Sequence, residues 1–178
     1  MKYRAYTGIG SRETPPTILD LMSRIAKQLG RIGFTLRSGC AEGADSAFES
    51  GADDGRFPME LYIPWRGFGN REVVTLEAPQ VEAYEITEKF HPAWSRLSLG
   101  AKKLHARNAH QILGRDITNP VLSELVICWT EGGLGKGGTG QALRMAKHYE
   151  IPIYDLGSNL ADVNGLEELR DWYKKETK

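Results

Sequence analysis

Cysteine is scarce here, with Cys40 and Cys128 standing alone among 178 residues and no CxxC spacing. Two thiols supply neither a disulfide framework nor a zinc-finger ligand set, so the fold must rest on a hydrophobic core. No apolar run approaches the ~20 residues that span a bilayer, and the polar start MKYRAYTG lacks a signal-peptide core. These absences predict reduced thiols in a cytoplasmic protein with no membrane partner. An excess of one charge is also missing: Lys+Arg and Asp+Glu each number 23. Net charge therefore points to neither nucleic acid nor lipid. His105 and His110 are five residues apart, off a common helical face, and no Cys or carboxylate stands nearby at zinc spacing. No metal is expected.

What is present is a 40% hydrophobic chain, rich in glycine, long enough to bury roughly two-thirds of its unfolded surface. Strand candidates are residues 2–6, 34–37, 59–64, 124–129 and 151–156. The run ELVICW at 124–129 is almost wholly apolar, as a central parallel strand covered on both faces should be. Ile18, Leu21, Met22, Ile25 and Leu29 recur at helical spacing after Thr14-Pro15-Pro16, and Gly33 closes that helix. Further helices are expected from Ala44 to about Gly51, over 92–114, over 141–149, and around Leu166, Leu169, Trp172 and Tyr173. Between them, the stretch 65–89 reads as a short helix near Val73 and a strand at 81–86. Alternating strands and helices predict one α/β domain over 1–178, a mainly parallel Rossmann-like sheet with helices on both faces.

Three glycine loops each follow a predicted strand and precede a predicted helix: residues 7–12, 38–45 and 132–140. In an open parallel sheet they collect on the carboxyl edge, where ligands bind. Glycine lets backbone amides approach a ligand, and a helix start adds partial positive charge, a combination suited to phosphate. Ser11 and Arg12 add a hydroxyl and a guanidinium to the first loop; Lys136, Thr139 and Gln141 enrich the third. A Walker loop is excluded because Thr130 and Gly137 occupy its first-glycine and Ser/Thr positions around Lys136. The dinucleotide fingerprint fails after Gly8 and Gly10, where Ser11-Arg12-Glu13 follows without a third glycine.

The ordered blocks Thr7-Gly8-x-Gly10-Ser11-Arg12, Ser38-Gly39-x-Ala41-x-Gly43-Ala44-Asp45, Arg107-Asn108 and Gly137-Gly138-Thr139-Gly140-x-Ala142 resemble the SLOG superfamily. Within it they are most similar to the Rossmann-like domain of the DprA/Smf DNA-processing family. The likeness spans about residues 5–156, and its second block is the most specific. It implies a nucleotide or nucleotide-derived ligand held by Gly8, Gly10, Ser11, Arg12, Ser38, Gly39, Gly43, Asp45, Arg107, Asn108, Lys136, Gly138 and Thr139, with no required cofactor. In this picture the amides and Arg12 hold phosphate and Asp45 takes ribose hydroxyls, while Asp45 also braces its loop. Phosphoribohydrolases of the LOG type carry a catalytic Glu where this sequence has Ala142. Binding rather than N-glycosidic hydrolysis is therefore expected, unless Glu42 or Glu131 takes over.

Residues 89–115 contain no acid but hold Lys89, Arg96, Lys102, Lys103, Arg107 and Arg115, with Phe90 and Trp94 among them. That is the alternative reading, a single-stranded nucleic-acid face built on Lys102, Lys103 and Arg107, against a plain solvated helix face. Cys40 lies beside a helix start that would lower its pKa, whereas Cys128 belongs to the core. Trp65 and Trp129 follow strands, placed to cover a base, and Trp172 suits either internal packing or a homo-oligomer contact.

Overall fold

A computed structural model describes residues 3–158 and 165–176. Its strands are β1 (Ala5–Gly10), β2 (Thr35–Ser38), β3 (Met59–Leu61), β4 (Leu125–Trp129) and β5 (Ile153–Asp155). The helices are α1 (Pro16–Arg31), α2 (Ala44–Asp54), α3 (Val81–Lys89), α4 (Leu99–Leu113), α5 (Gly137–His148) and α6 (Gly165–Glu176). All five strands run parallel in the order β3-β2-β1-β4-β5. The chain thus fills one half of the sheet outward from β1, then returns to build the other half from β4.

β4 shows why its sequence is apolar at every step. Leu125 and Ile127 pack with Leu21, Met22, Ile25 and Phe48 beneath α1 and α2, while Val126 and Cys128 face Ala106, Ala109, Ile112 and Met145 of α4 and α5. Period-two alternation thus feeds two cores at once. α6 joins the first face through Leu169, and Trp172 packs against the Tyr154 ring at 5.0 Å within the same chain. α1 starts with Pro16 in its first turn and ends where Gly33, at φ +88°, reverses the chain.

Several expected elements differ. β1 extends to Gly10, so Gly8 and Gly10 are strand residues rather than loop residues. The expected strand over 81–86 is helix α3, whose Ala83 and Thr87, one helical turn apart, are buried while Val81 is exposed. In place of the short helix expected near Val73 there is a single 3-10 turn at Phe68–Asn70, and residues 71–80 are irregular, pinned by a parallel bridge between Tyr62 and Leu76. The long helix expected from residue 92 begins at Leu99, where Ser98 Oγ accepts from the Ala101 amide at 3.2 Å. Conversely α5 starts four residues early, at Gly137. Among the described residues no helix is long and apolar enough to cross a membrane.

Candidate functional site

The carboxyl ends of β1 and β4 adjoin where the connections diverge to opposite halves of the sheet, the place where open α/β sheets bind ligands. A cavity of about 720 Å³ opens there. Its floor is Ile9, Gly10 and Trp129; its walls are Ser11, Arg12, Glu13 and Pro15 on one side and Ala101, Leu104, His105, Arg107 and Asn108 of α4 on another. Thr130, Glu131 and the α5 start, Lys136 to Thr139, complete it, with Ala41 and Asp45 behind.

The first two loops hold each other. Ser11 O accepts from Thr14 Oγ1 at 2.7 Å and from the Ala44 amide at 3.4 Å, and Ser11 Oγ accepts from the Glu13 amide at 3.0 Å. Gly43 sits at φ +83°, and a Cβ there would stand 2.7 Å from the Arg12 Cα. Glycine is required on both counts.

Asp45, at 2% exposure, organises the second loop from behind. Its Oδ2 accepts from the Gly39 amide at 3.2 Å, the Ala41 amide at 3.4 Å and Arg107 Nη1 at 3.2 Å. Burial pushes its carboxyl up to about 6, opposed by the Arg107 charge and the loop amides. Arg107 lies so close over the loop that a Cβ on Gly39 would fall 1.1 Å from Nη1. The far side of the guanidinium faces the Phe68 ring, with Cζ 5.9 Å from its centroid, and the buried Nε–H has no hydrogen-bond partner.

The third loop is tied down by a second carboxylate. Asp155 Oδ1 accepts from the Thr130 amide at 3.0 Å and the Gly157 amide at 2.9 Å, and its Oδ2 accepts from Thr130 Oγ1 at 2.5 Å. Thr130 Oγ1 in turn accepts from the Gly135 amide at 3.0 Å. Around this anchor Gly132, Gly133, Gly135 and Gly137 all take positive φ. The loop then enters α5 without a side-chain cap, leaving its first-turn amides directed at the cavity. Asn108 Nδ2 donates to Gly138 O at 3.4 Å, linking α4 to that turn.

Of the residues expected to meet ligand, Gly10, Ser11, Arg12, Asp45, Arg107, Asn108, Lys136, Gly138 and Thr139 line the cavity. Gly8, Ser38, Gly39 and Gly43 do not. Gly8 packs against Phe48, where a Cβ would lie 2.6 Å from the ring, and Ser38 Oγ donates to buried Glu49 at 2.5 Å. Gly39 and Gly43 make room for Arg107 and Arg12, as above. Lys102 and Lys103 lie outside the cavity, Lys102 Nζ standing 5.4 Å from the Trp94 ring centroid. Trp94 is 9% exposed, so the stacking face expected of it is already covered. Cys40 is pushed up to about 12 by burial, overriding the helix start expected to lower it. Ala142 is fully buried in the core side of α5, Glu42 is exposed away from the cavity, and Glu131 lines it. Trp129 contributes to the floor, whereas Trp65 stands apart, edge-on to Phe68 at 5.2 Å. Sequence reading passed over Asp155, Thr130 and Glu13. Polar residues at the ends of apolar strands were the signal that would have found the first two.

His105 also lines the cavity, and burial lowers its pKa, favouring the neutral imidazole. His110 is engaged elsewhere, its Nε2 accepting from the Gln80 amide at 3.1 Å. Among the described residues no three His, Cys, Asp or Glu side chains group as metal ligands do.

No protein-family model matches the chain, and no curated protein matches it. Solved structures do. DNA processing protein A from Helicobacter pylori, described for its single-stranded DNA binding mode, aligns with a TM-score of 0.56 at 20% identity, over 97% of this chain and 73% of that one. The Moco carrier protein of Chlamydomonas rheinhardtii aligns at 0.54 and 16% identity, over 88% and 77%. DprA from Streptococcus pneumoniae aligns at 0.53 and 14% identity, over 96% of this chain and 56% of that one. The fold is Rossmann-like. At these identities the likeness is one of fold, and function must be argued from the site.

Proposed function

We propose that this chain is a SLOG-type domain that binds a nucleotide or nucleotide-derived small molecule in the switch-point cavity. The observation that carries the reading is the meeting of the open first turn of α5, Lys136 and Arg12 with an apolar wall of Ile9, Pro15, Leu104 and Trp129 in one cavity of about 720 Å³. Amides and cations suit phosphate; the apolar wall suits a base and sugar. No resident cofactor is required by this reading. The position of the LOG-type Glu is filled by Ala142 in the core, which leaves Glu131 on the cavity wall as the one carboxylate of the two candidates placed to assist base release; free base from AMP that vanishes in Glu131→Gln would make this an enzyme. Calorimetry with mono-, di- and cyclic nucleotides and ADP-ribose tests the proposal. Binding that Arg12→Ala and Gly138→Val both abolish supports it; a panel without any binder, or variants that bind unchanged, refutes it.

A second reading, single-stranded nucleic-acid binding, is favoured by the likeness over 97% of the chain to a protein described for that mode. Here Lys102 and Lys103 would meet phosphates, while Arg107 stays with Asp45. Such binding weakens steeply with salt. Gel shifts at low salt with Lys102→Glu and Lys103→Glu decide it: no shift by the unaltered protein removes this reading.

A further inference from the structure

We infer that residues 64–74 are a hinged strap that closes the back of the switch-point cavity and is latched to the body of the domain by Arg71. The inference makes no use of the ligand's identity and stands apart from the nucleotide reading. The two ends of the strap are stapled to each other. The Leu61 amide donates to Thr75 Oγ1 at 2.9 Å, the Thr75 amide to Leu61 O at 2.8 Å, and the Ile63 amide to Leu76 O at 3.2 Å. A loop closed at its base in this way can lift as a unit without disturbing the sheet. From Trp65 to Val73 every residue but Phe68 is exposed, so little apolar burial holds the strap down.

What the strap covers is polar. Gly69 lies against Cys40, whose carbonyl oxygen would stand 2.8 Å from a Cβ there. Arg71 reaches in to the buried Glu49, whose other oxygen accepts from Ser38 Oγ. Phe68 caps the buried Arg107 guanidinium, with Cζ 5.9 Å from the ring centroid. Arg71 acts as a latch because Glu49 is satisfied in both positions: strap down, the carboxylate has its cation, and strap up, it has water. Lifting the strap therefore strands no buried charge. Arg107 carries the strap's position to the cavity. It lines that cavity together with Ala41 and Asp45, and Asp45 in turn holds the Gly39 and Ala41 amides. Taking Phe68 off Arg107 admits water to the pair from behind and loosens this wall.

Cys40 and Cys128 provide the test, since both are free thiols, one beneath the strap and the other in the core on β4. The full chain is treated with excess iodoacetamide in native buffer, and modification of each thiol is timed by peptide mass spectrometry. The ratio of the Cys40 rate to the Cys128 rate separates strap opening from global unfolding, which exposes both. In Arg71→Gln, where Glu49 regains a strong partner only by lifting the strap, the ratio should rise about tenfold. In Phe68→Ala, which keeps the ion pair, it should rise about threefold. Should Arg71→Gln fail to fold, Phe68→Ala decides by the same ratio. Amide exchange followed by NMR in the opened variant should quicken at Gly39 and Ala41, while Gly135 in the third loop keeps its rate. A ratio that does not rise overturns the strap. A raised ratio with Gly39 and Ala41 exchanging as before overturns its link to the cavity.

Discussion

Replacing Arg107 with alanine removes one half of a buried ion pair. Its Nη1 lies 3.2 Å from Asp45 Oδ2, and the two side chains are 6% and 3% exposed. Stripping the partner from a buried charge typically costs about 3–5 kcal/mol, because the remaining charge has no water to replace it. A domain of this kind holds about 5–15 kcal/mol in total, and each kcal/mol moves the midpoint by ~2–4 °C, so Tm should fall by about 6–20 °C. The pH dependence is more diagnostic than the size. Asp45 is raised from its ordinary 3.8 to about 6 in the folded protein. Its stabilising contribution is therefore complete below about pH 4 and is lost as pH rises through about 6. Without Arg107 the upward push of burial is less opposed, so the carboxyl stays protonated to higher pH and the loss extends further. Arg107→Ala should accordingly cost less at pH 5 than at pH 8. Urea unfolding followed by circular dichroism at both pH values measures this. An equal cost at the two values, or a cost below about 1 kcal/mol, would refute the role assigned to the pair.

Other substitutions separate bracing from binding. Gly8→Ala presses a Cβ onto the fully buried Phe48 ring and should cost about 1–3 kcal/mol in urea unfolding without altering nucleotide affinity. Gly138→Val meets nothing within 4 Å and should leave Tm within about 2 °C while abolishing calorimetric binding. Thr130→Val orphans the Gly135 amide and removes one donor from Asp155, so stability should fall by about 1–3 kcal/mol in thermal melts, and Thr130→Ser should restore it. Asp45→Asn should flatten the part of the stability profile that declines between about pH 4 and 6, read as a difference from the unaltered chain.

Much of the fold was legible because its signals are local. The apolar run of β4, the helical stripe of α1 and the glycine loops follow directly from burial on two faces, burial on one stripe and tight strand-to-helix turns. α3 was misread because Val81, Tyr84 and Ile86 resemble a strand pattern, while its fully buried positions are Ala83 and Thr87, small and weakly apolar, with Tyr84 and Ile86 only partly buried beside them. Only the neighbouring α4 makes those positions core. The cavity edge was foreseeable from loop order, but not which side of each loop faces the ligand. Gly39 illustrates this: its value lies in contact with Arg107, 68 positions along the chain, a distance no local pattern encodes. Asp155 was marked locally as a polar residue ending an apolar strand, but its partner was not, since it acts on Thr130 across neighbouring strands.

The central claim is that phosphate sits on the open first turn of α5. Titrating isotope-labelled protein with AMP and following backbone amide resonances tests it directly. The largest shifts should fall on Gly137, Gly138 and Thr139, with the amides of Gly39, Ala41 and Gly135 moving least because Asp45 and Thr130 already hold them. The opposite ranking, or saturable binding that leaves the α5 amides unmoved, would contradict the account.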